Sequence, residues 1–203
     1  MPADLKNSPL VKEQRALALS KSGDHDAAIG ALKELILNSG DTSERRGLLG
    51  GRYKKKWNIT KDPADLSRAI TEYENGMRLD LNDYYPSSNL ARLYRTRNRK
   101  GDEDKVRIAA SITLVACDRA RTRNSSDEWL NPTLLGAAFD AGDVEKAHEL
   151  ADLVWEEGPA AWKLDTTLDD CRIAAQQCEE PRRTKLLDIV AQLEKASAAK
   201  SVS

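Results

Sequence analysis

The chain has 203 residues, a net charge of −1, 32% charged residues and only 5% aromatic residues. This length suits one sizeable core or a short helical array, and the aliphatic content argues against global disorder. No apolar run approaches the roughly 20 residues needed to cross a bilayer, and residues 1–11 lack the apolar core of a signal peptide. We therefore expect a cytoplasmic protein that has no membrane partner.

Apolar residues at helical spacing, interrupted by turn residues, predict a series of helices along the whole chain. In chain order we expect four helical hairpins, at about 9–38, 44–80, 84–123 and 128–157, and then two further helices, at about 161–178 and 181–196. The last two helices are expected to cap the open end of the array. All of these segments are predicted to form one domain, residues 1–203.

A Gly-Asp pair recurs before the second helix of three hairpins, at residues 23–24, 101–102 and 142–143. Asp65 occupies the corresponding place in the remaining hairpin and, like Asp24 or Asp26, is expected to cap its helix. Four residues after each aspartate stand the repeat anchors Ala28, Ala69, Val106 and Ala147, which are 41, 37 and 41 residues apart. Repetition at such a period is typical of helical solenoids, whose units bury their apolar faces by stacking. The sequence therefore predicts an all-α solenoid.

Two stretches resemble the tetratricopeptide repeat (TPR), a helix–turn–helix unit of about 34 residues. Residues 18–29, Ala-Leu-Ser-Lys-Ser-Gly-Asp-His-Asp-Ala-Ala-Ile, resemble its turn. Residues 68–80, Arg-Ala-Ile-Thr-Glu-Tyr-Glu-Asn-Gly-Met-Arg-Leu-Asp, resemble its second helix and the exit from it. This resemblance implies a TPR-like fold and a role in binding other proteins.

A narrower resemblance covers residues 47–94. It is carried by Gly-Leu-Leu-Gly-Gly-Arg-Tyr-Lys-Lys-Lys-Trp at 47–57, Ala-Ile-Thr-Glu-Tyr at 69–73, Asp-Tyr-Tyr-Pro at 83–86 and Asn-Leu-Ala at 89–91. These runs resemble the TRAFs-binding domain of mitogen-activated kinase kinase kinases of the apoptosis signal-regulating type, and its bacterial relatives. The chain departs from that family at Ser87-Ser88 and in the basic run 92–100. The resemblance implies a scaffold in signalling, stress response or defence. It does not imply a particular ligand.

Basic residues of two predicted first helices form the best candidate site. Arg92, Arg95 and Arg99 have the i, i+3, i+7 spacing of one helical face, while Arg52, Lys54 and Lys55 crowd the preceding first helix. Because first helices of stacked TPR hairpins line a concave surface, these six residues are expected to form a basic groove for carboxylates or phosphates. A solvated charged face explains the same pattern. Tyr84 and Tyr85 would either line this groove or pack between hairpins.

No catalytic or metal-binding motif is present in the sequence. Gly47, Gly50 and Gly51 lack the lysine-serine ending of a phosphate-binding loop, and Gly50 and Gly51 are expected to allow close helix packing. His25 and His148 have no partners at metal-ligand spacing, and the three cysteines are expected to be reduced and buried. We therefore expect no cofactor, no metal and no enzymatic activity.

The charge distribution bears on the choice of partner. Residues 44–123 contain 19 Lys/Arg and 11 Asp/Glu, whereas residues 124–203 contain 8 Lys/Arg and 16 Asp/Glu. The leading hypothesis is a non-catalytic scaffold that binds an acidic protein segment. The alternatives are a nucleic-acid-binding module, which the acidic C-terminal part disfavours, and a sensor of a nucleotide or another small anion. The opposite charges also predict weak, salt-dependent self-association.

Overall fold

A computed structural model of the chain describes residues 8–123 and 126–202, and within these ranges it contains ten α-helices and no strand. The helices are α1 Pro9–Lys21, α2 His25–Ser39, α3 Ser43–Thr60, α4 Pro63–Leu79, α5 Tyr84–Arg97, α6 Asp102–Arg123, α7 Leu130–Ala141, α8 Val144–Glu156, α9 Ala161–Gln176 and α10 Arg182–Val202. The predicted all-α fold is confirmed. None of the helices in the described ranges is both long and apolar enough to span a bilayer.

The chain divides into two compact units, Met1–Asp102 and Glu103–Ser203. In unit 1, α1 packs on α2, α3 packs on α4, and α5 packs on both α3 and α4. In unit 2, α7 packs on α8, and α9 and α10 complete the packing. That residues 1–203 form one domain stays a prediction.

Side-chain caps start most helices where the sequence changes from turn to helical pattern. Asp24 and Asp143 accept hydrogen bonds from the backbone amides of Ala27 and Lys146, three residues on, as N-caps do. The glycine before each of them has a positive φ, +90° at residue 23 and +67° at residue 142, a conformation that favours glycine. The repeated Gly-Asp pair therefore ends one helix and starts the next.

The capping prediction for α4 is wrong. Asp62, not Asp65, caps this helix and accepts from the amide of Ala64 at 2.8 Å. Pro63 follows directly, and its fixed φ suits the first turn of a helix. Asp65 lies in the first turn, only 1% exposed, and its carboxylate is 3.0 Å from Arg68 Nη1. Helix α4 therefore starts two residues before Asp65, and its actual cap lies three residues before the expected one.

Three of the four repeat anchors are buried completely. Ala28, Ala69 and Ala147 are 0% exposed. Val106 is only partly buried, and Ala109, one turn further along α6, is 1% exposed. The third repeat is therefore shifted by one helical turn from the register that the anchor spacing predicts.

In unit 1, helix α3 packs closely on α4 and α5 because its glycines leave room for tyrosine rings. A Cβ added at Gly50 would lie 2.9 Å from the ring of Tyr73, and one at Gly47 would lie 2.7 Å from the ring of Tyr85. The two rings meet edge to face, with their centroids 5.9 Å apart. The glycines thus position the first helices α3 and α5 side by side.

Unit 2 has a continuous apolar core. Residues of α7–α10 form one cluster that includes Phe139, Val154, Leu168, Leu186 and Ile189. Small residues such as Ala174 and Ala175 of α9, each at most 1% exposed, allow the helices to approach. Lys163 is buried beside this core, and the carboxylate of Glu128, also in unit 2, compensates its charge.

Candidate functional site

The six basic residues Arg52, Lys54, Lys55, Arg92, Arg95 and Arg99, here called the basic face, all lie in unit 1. Lys54 Nζ of α3 donates a hydrogen bond of 3.0 Å to Asn89 Oδ1 of α5. Asn89 is itself held because its side-chain amide donates to the carbonyl oxygen of Tyr85 at 2.9 Å. The structure therefore brings the polar side chains of α3 and α5 together.

Arg52 is the least expected member of the basic face. It is only 7% exposed, and its Nε is a buried nitrogen atom without a hydrogen-bond partner among the described residues. An arginine stays charged at all relevant pH values and offers donors in a fixed planar arrangement. A buried donor without an acceptor costs about 1–3 kcal/mol. The fold retains this arginine at a cost in stability.

Burial and the positive charge around Arg52 lower the pKa values of two neighbouring side chains, Lys55 and His25. The pKa of Lys55 is lowered by desolvation and then by the charges of Arg52, Lys21 and Lys54, although the Lys55 side chain is exposed by its surface area. The pKa of His25 is also lowered, first by burial and then by Arg52 and Lys55. Lys21 ends α1 and His25 begins α2. Positive charge therefore accumulates where the α1–α2 turn approaches α3, and it disfavours protonation of His25.

The acidic groups near these cations are already engaged elsewhere. Asp26 Oδ1 lies 2.5 Å from Lys56 Nζ, and Asp24 caps α2. Both carboxylates raise the pKa of His25, but they oppose the larger effects of burial, Arg52 and Lys55. Local acids therefore do not compensate the cations fully.

The arginines of α5 differ from one another. Arg92 is 7% exposed and Arg95 is half-buried, and both have interaction partners. Arg99 lies beyond the end of α5, because the helix ends at Arg97 and Asn98 adopts a left-handed conformation with φ of +50°. The expected helical face of three arginines is therefore wrong at Arg99, which is an exposed turn residue. Its backbone amide donates to Asp102 Oδ2 at 2.9 Å.

Tyr84 and Tyr85 are half-buried. The ring of Tyr85 fills the space over Gly47, and its hydroxyl would lie 2.9 Å from a Cβ at Gly51. Tyr85 is therefore a spacer between α3, α4 and α5. Of the two explanations that the sequence left open, packing between hairpins accounts for the position of Tyr85, and the structure leaves its role in partner binding a prediction.

Sequence reasoning missed three residues of this region, Lys21, His25 and Asn89. Lys21 and His25 flank the Gly-Asp turn, so the repeat pattern placed them at the end of one helix and the start of the next. Their proximity to Arg52 depends on how α3 packs on the first hairpin, and helical spacing does not contain this information. Asn89 could have been noticed because it is a polar residue within the apolar pattern of α5.

The cysteines of the described residues are not activated as nucleophiles, and these residues form no metal-binding group. Burial raises the pKa of the Cys117 thiol to about 12, so this group stays a neutral thiol. Cys171 is buried and Cys178 is half-buried, and both are free cysteines. Within residues 8–123 and 126–202, no group of three His, Cys, Asp or Glu side chains is arranged to hold a metal ion.

Comparison with known families supports the repeat architecture. Residues 2–94 match the family described as Tetratricopeptide Repeats-Sensor, or TPR-S. No curated protein matches the chain. The matched segment includes α1–α4 and most of α5, and it contains four of the six residues of the basic face, whereas Arg95 and Arg99 lie beyond it. Together with the all-helical fold, this match supports a TPR-like repeat architecture.

Proposed function

We propose that the chain is a non-catalytic scaffold or regulatory module that binds an acidic segment of a protein partner on the basic face of α3 and α5. TPR-type repeats generally mediate protein–protein interaction. The observation that carries the proposal is the Lys54–Asn89 hydrogen bond of 3.0 Å, because it joins the basic side of α3 to α5. Carboxylates on a partner would form charge-assisted hydrogen bonds with this surface.

The proposed setting is a signalling, stress-response or defence system. Two observations support it: the resemblance of residues 47–94 to the TRAFs-binding domain, and the word "sensor" in the description of the matching family. The partner surface extends from Arg52 and Lys55 on α3 to Arg95 on α5 and Arg99 in the turn beyond it. Tyr84 lies near the start of α5 and would add an apolar contact.

Charge reversal tests the proposal. The Arg95→Glu, Arg99→Glu double variant should lose the proteins that the wild-type chain captures from its native cells, because both reversals place acidic groups where an acidic segment would bind. Lys195→Glu is the matched control, since Lys195 is an exposed cation of α10 outside the basic face. Melting curves should show all variants folded. Equal capture of the same proteins by the wild type and the double variant would refute the proposed function.

Nucleic-acid binding remains the second candidate because the basic face would also attract a phosphate backbone. A gel-shift series with RNA and DNA separates the two hypotheses, since binding to a phosphate backbone weakens steeply as salt increases. We expect no shift at physiological salt. A salt-dependent shift that the double variant abolishes would favour the nucleic-acid hypothesis.

A further inference from the structure

We propose that Arg52, Lys55, Lys21 and His25 form a binding site for a phosphate group carried by the partner segment. The inference rests on the proposed function, because Arg52 and Lys55 belong to the basic face. It adds the chemistry of the ligand, and it places the phosphate at the α1–α2 side of α3 rather than at α5.

The unpartnered donor of Arg52 is the first argument. The residue is 7% exposed, and its buried Nε donates to no atom of the described residues. Buried polar groups in folded proteins almost always have hydrogen-bond partners, so an exception requires an explanation. An acceptor supplied from outside would satisfy this donor. Arginine is especially suited to an acceptor with several oxygens, because its donors lie in one plane and bind such groups in pairs.

The convergence of cations is the second argument. Arg52 and Lys55 lie on α3 three residues apart, so they share one face of the helix. Lys21 at the end of α1 and His25 at the start of α2 lie close enough to act electrostatically on this pair: Lys21 on Lys55, and both Arg52 and Lys55 on His25. Lys54 adds to the positive charge from the side of α5.

The nearby acidic groups do not remove this excess of charge. Asp24 and Asp26 are the carboxylates that act on His25, and they are engaged as the cap of α2 and as the partner of Lys56. The other side of His25 is neutral, since its Nδ1 is 3.1 Å from Ser20 Oγ. Arg52 and Lys55 attract a dianion more strongly than a single carboxylate, and a phosphate carries a charge of about −1.5 to −2 at pH 7.

The position of the site favours a phosphate on a flexible segment. Lys21 and Lys55 are exposed, so an extended ligand could reach the site from solvent while its phosphate contacts the buried Arg52. The same phosphate chemistry also belongs to the free inorganic ion. The experiment therefore compares the two sources.

The two histidines of the chain, His25 and His148, provide a reporter and an internal reference. Proton NMR of their ring signals, recorded across pH at constant ionic strength, gives the titration midpoint of each residue. Inorganic phosphate is added in one series, Gly-phosphoserine-Gly in a second, and Gly-Ser-Gly in a third. A bound phosphate stabilises protonated His25, so its midpoint should move to higher pH with the two phosphates and stay unchanged with Gly-Ser-Gly. His148 should not move.

Variants test which side chains bind the phosphate. Arg52→Met and Lys55→Met should each weaken phosphate binding at least about tenfold, because each removes a charge-assisted contact. Lys55 is exposed, so Lys55→Met leaves the packing of the fold unchanged and tests the site independently of the buried Arg52. Lys195→Met is the control and should bind as the wild type does.

Each outcome decides a separate point. An unmoved His25 midpoint with both phosphates, or unchanged binding in the Lys55→Met variant, overturns the site. Binding of inorganic phosphate without binding of the phosphoserine peptide overturns the partner segment as the source of the phosphate. The Arg95→Glu, Arg99→Glu variant should still bind phosphate, so that a failed capture experiment refutes the proposed function and leaves the phosphate site standing.

Discussion

Unit 1 and unit 2 each bury a basic side chain, Arg52 at 7% exposure and Lys163 at 3%. In unit 2, Lys163 Nζ lies 2.6 Å from Glu128 Oε2, donates to the carbonyl oxygen of Glu128 at 3.2 Å, and lies 4.7 Å from the ring centroid of Trp129. In unit 1, Arg52 Nε has no such partner within the described residues. A buried cation that its own unit satisfies is structural, whereas one that its unit leaves unsatisfied is available to a ligand.

The contrast does not extend to every charge in unit 1. Arg97 and Asp102 form an ion pair of 2.5 Å, and the Asp102 carboxylate also accepts from the backbone amide of Arg99. Arg45 Nε lies 2.9 Å from Glu13, and Arg45 also donates to the carbonyl oxygens of Ser39 and Gly40. Unit 1 therefore satisfies the charges that hold its turns in place, and Arg52 differs from them.

The largest expected effect concerns two Gly-Asp pairs, Gly101-Asp102 at the end of unit 1 and Gly142-Asp143 within unit 2. Asp102→Ala should destabilise the protein by about 3 kcal/mol, because Arg97 would lose its carboxylate partner in a largely buried setting. Asp143→Ala should cost only about 1 kcal/mol, because Asp143 is an exposed N-cap. Urea unfolding of both variants measures the difference. Equal losses would show that the Arg97–Asp102 pair adds nothing to a simple cap.

A smaller effect compares the two buried cations directly. Lys163→Met should cost about 1–2 kcal/mol, since it removes charge-assisted contacts while keeping the length of the side chain. The loss of stability stays moderate because the Glu128 carboxylate is exposed and remains solvated after the substitution. Arg52→Met should cause no loss, or a gain of up to about 1 kcal/mol, because it removes an unsatisfied buried donor.

Thermal and urea unfolding of these two variants would test the comparison. If Arg52→Met destabilised the protein as much as Lys163→Met, Arg52 would be stabilising unit 1. Its donors would then be satisfied within the fold and not available to a ligand. Lys195→Met serves as the control for removing a cation from an exposed position, and it should change stability by less than about 0.5 kcal/mol.

Helix type and order followed from the sequence because apolar spacing and turn chemistry are local signals. The Gly-Asp pairs predicted helix boundaries at residues 23 and 142, where a positive φ requires glycine and the aspartate caps the next helix. The error at α4 is also local. Pro63 starts the helix two residues before Asp65, and a proline at the first position is a stronger start signal than an aspartate inside the first turn.

The candidate site followed from the sequence only in part. The sequence correctly placed Arg52 and Lys55 on one helix and Arg95 on the next first helix, but helical spacing wrongly assigned Arg99 to that helix, which ends at Arg97. Burial of Arg52 and its closeness to His25 arise from packing between helices that are far apart in sequence. The glycines and tyrosines of α3, α4 and α5 determine that packing, and the sequence indicated only that such glycines allow close approach.

The smallest expected effect tests the charge contrast between the two parts of the chain. Residues 44–123 carry an excess of basic residues and residues 124–203 an excess of acidic residues, so one chain can attract another head to tail. Each exposed ion pair contributes only about 0–1 kcal/mol, so many pairs would have to act together. Screening should weaken the association as the Debye length falls to about 8 Å near physiological salt.

Sedimentation at tens of micromolar should therefore show partial association at low salt and a monomer at physiological salt. Lys105→Glu combined with Arg107→Glu reverses two exposed cations of the basic segment and should reduce association at low salt. A monomer at both salt concentrations would exclude the interaction. A dimer that is indifferent to salt and to these reversals would instead indicate an apolar interface, because contacts between apolar surfaces are not screened by ions and the two substitutions leave such surfaces unchanged.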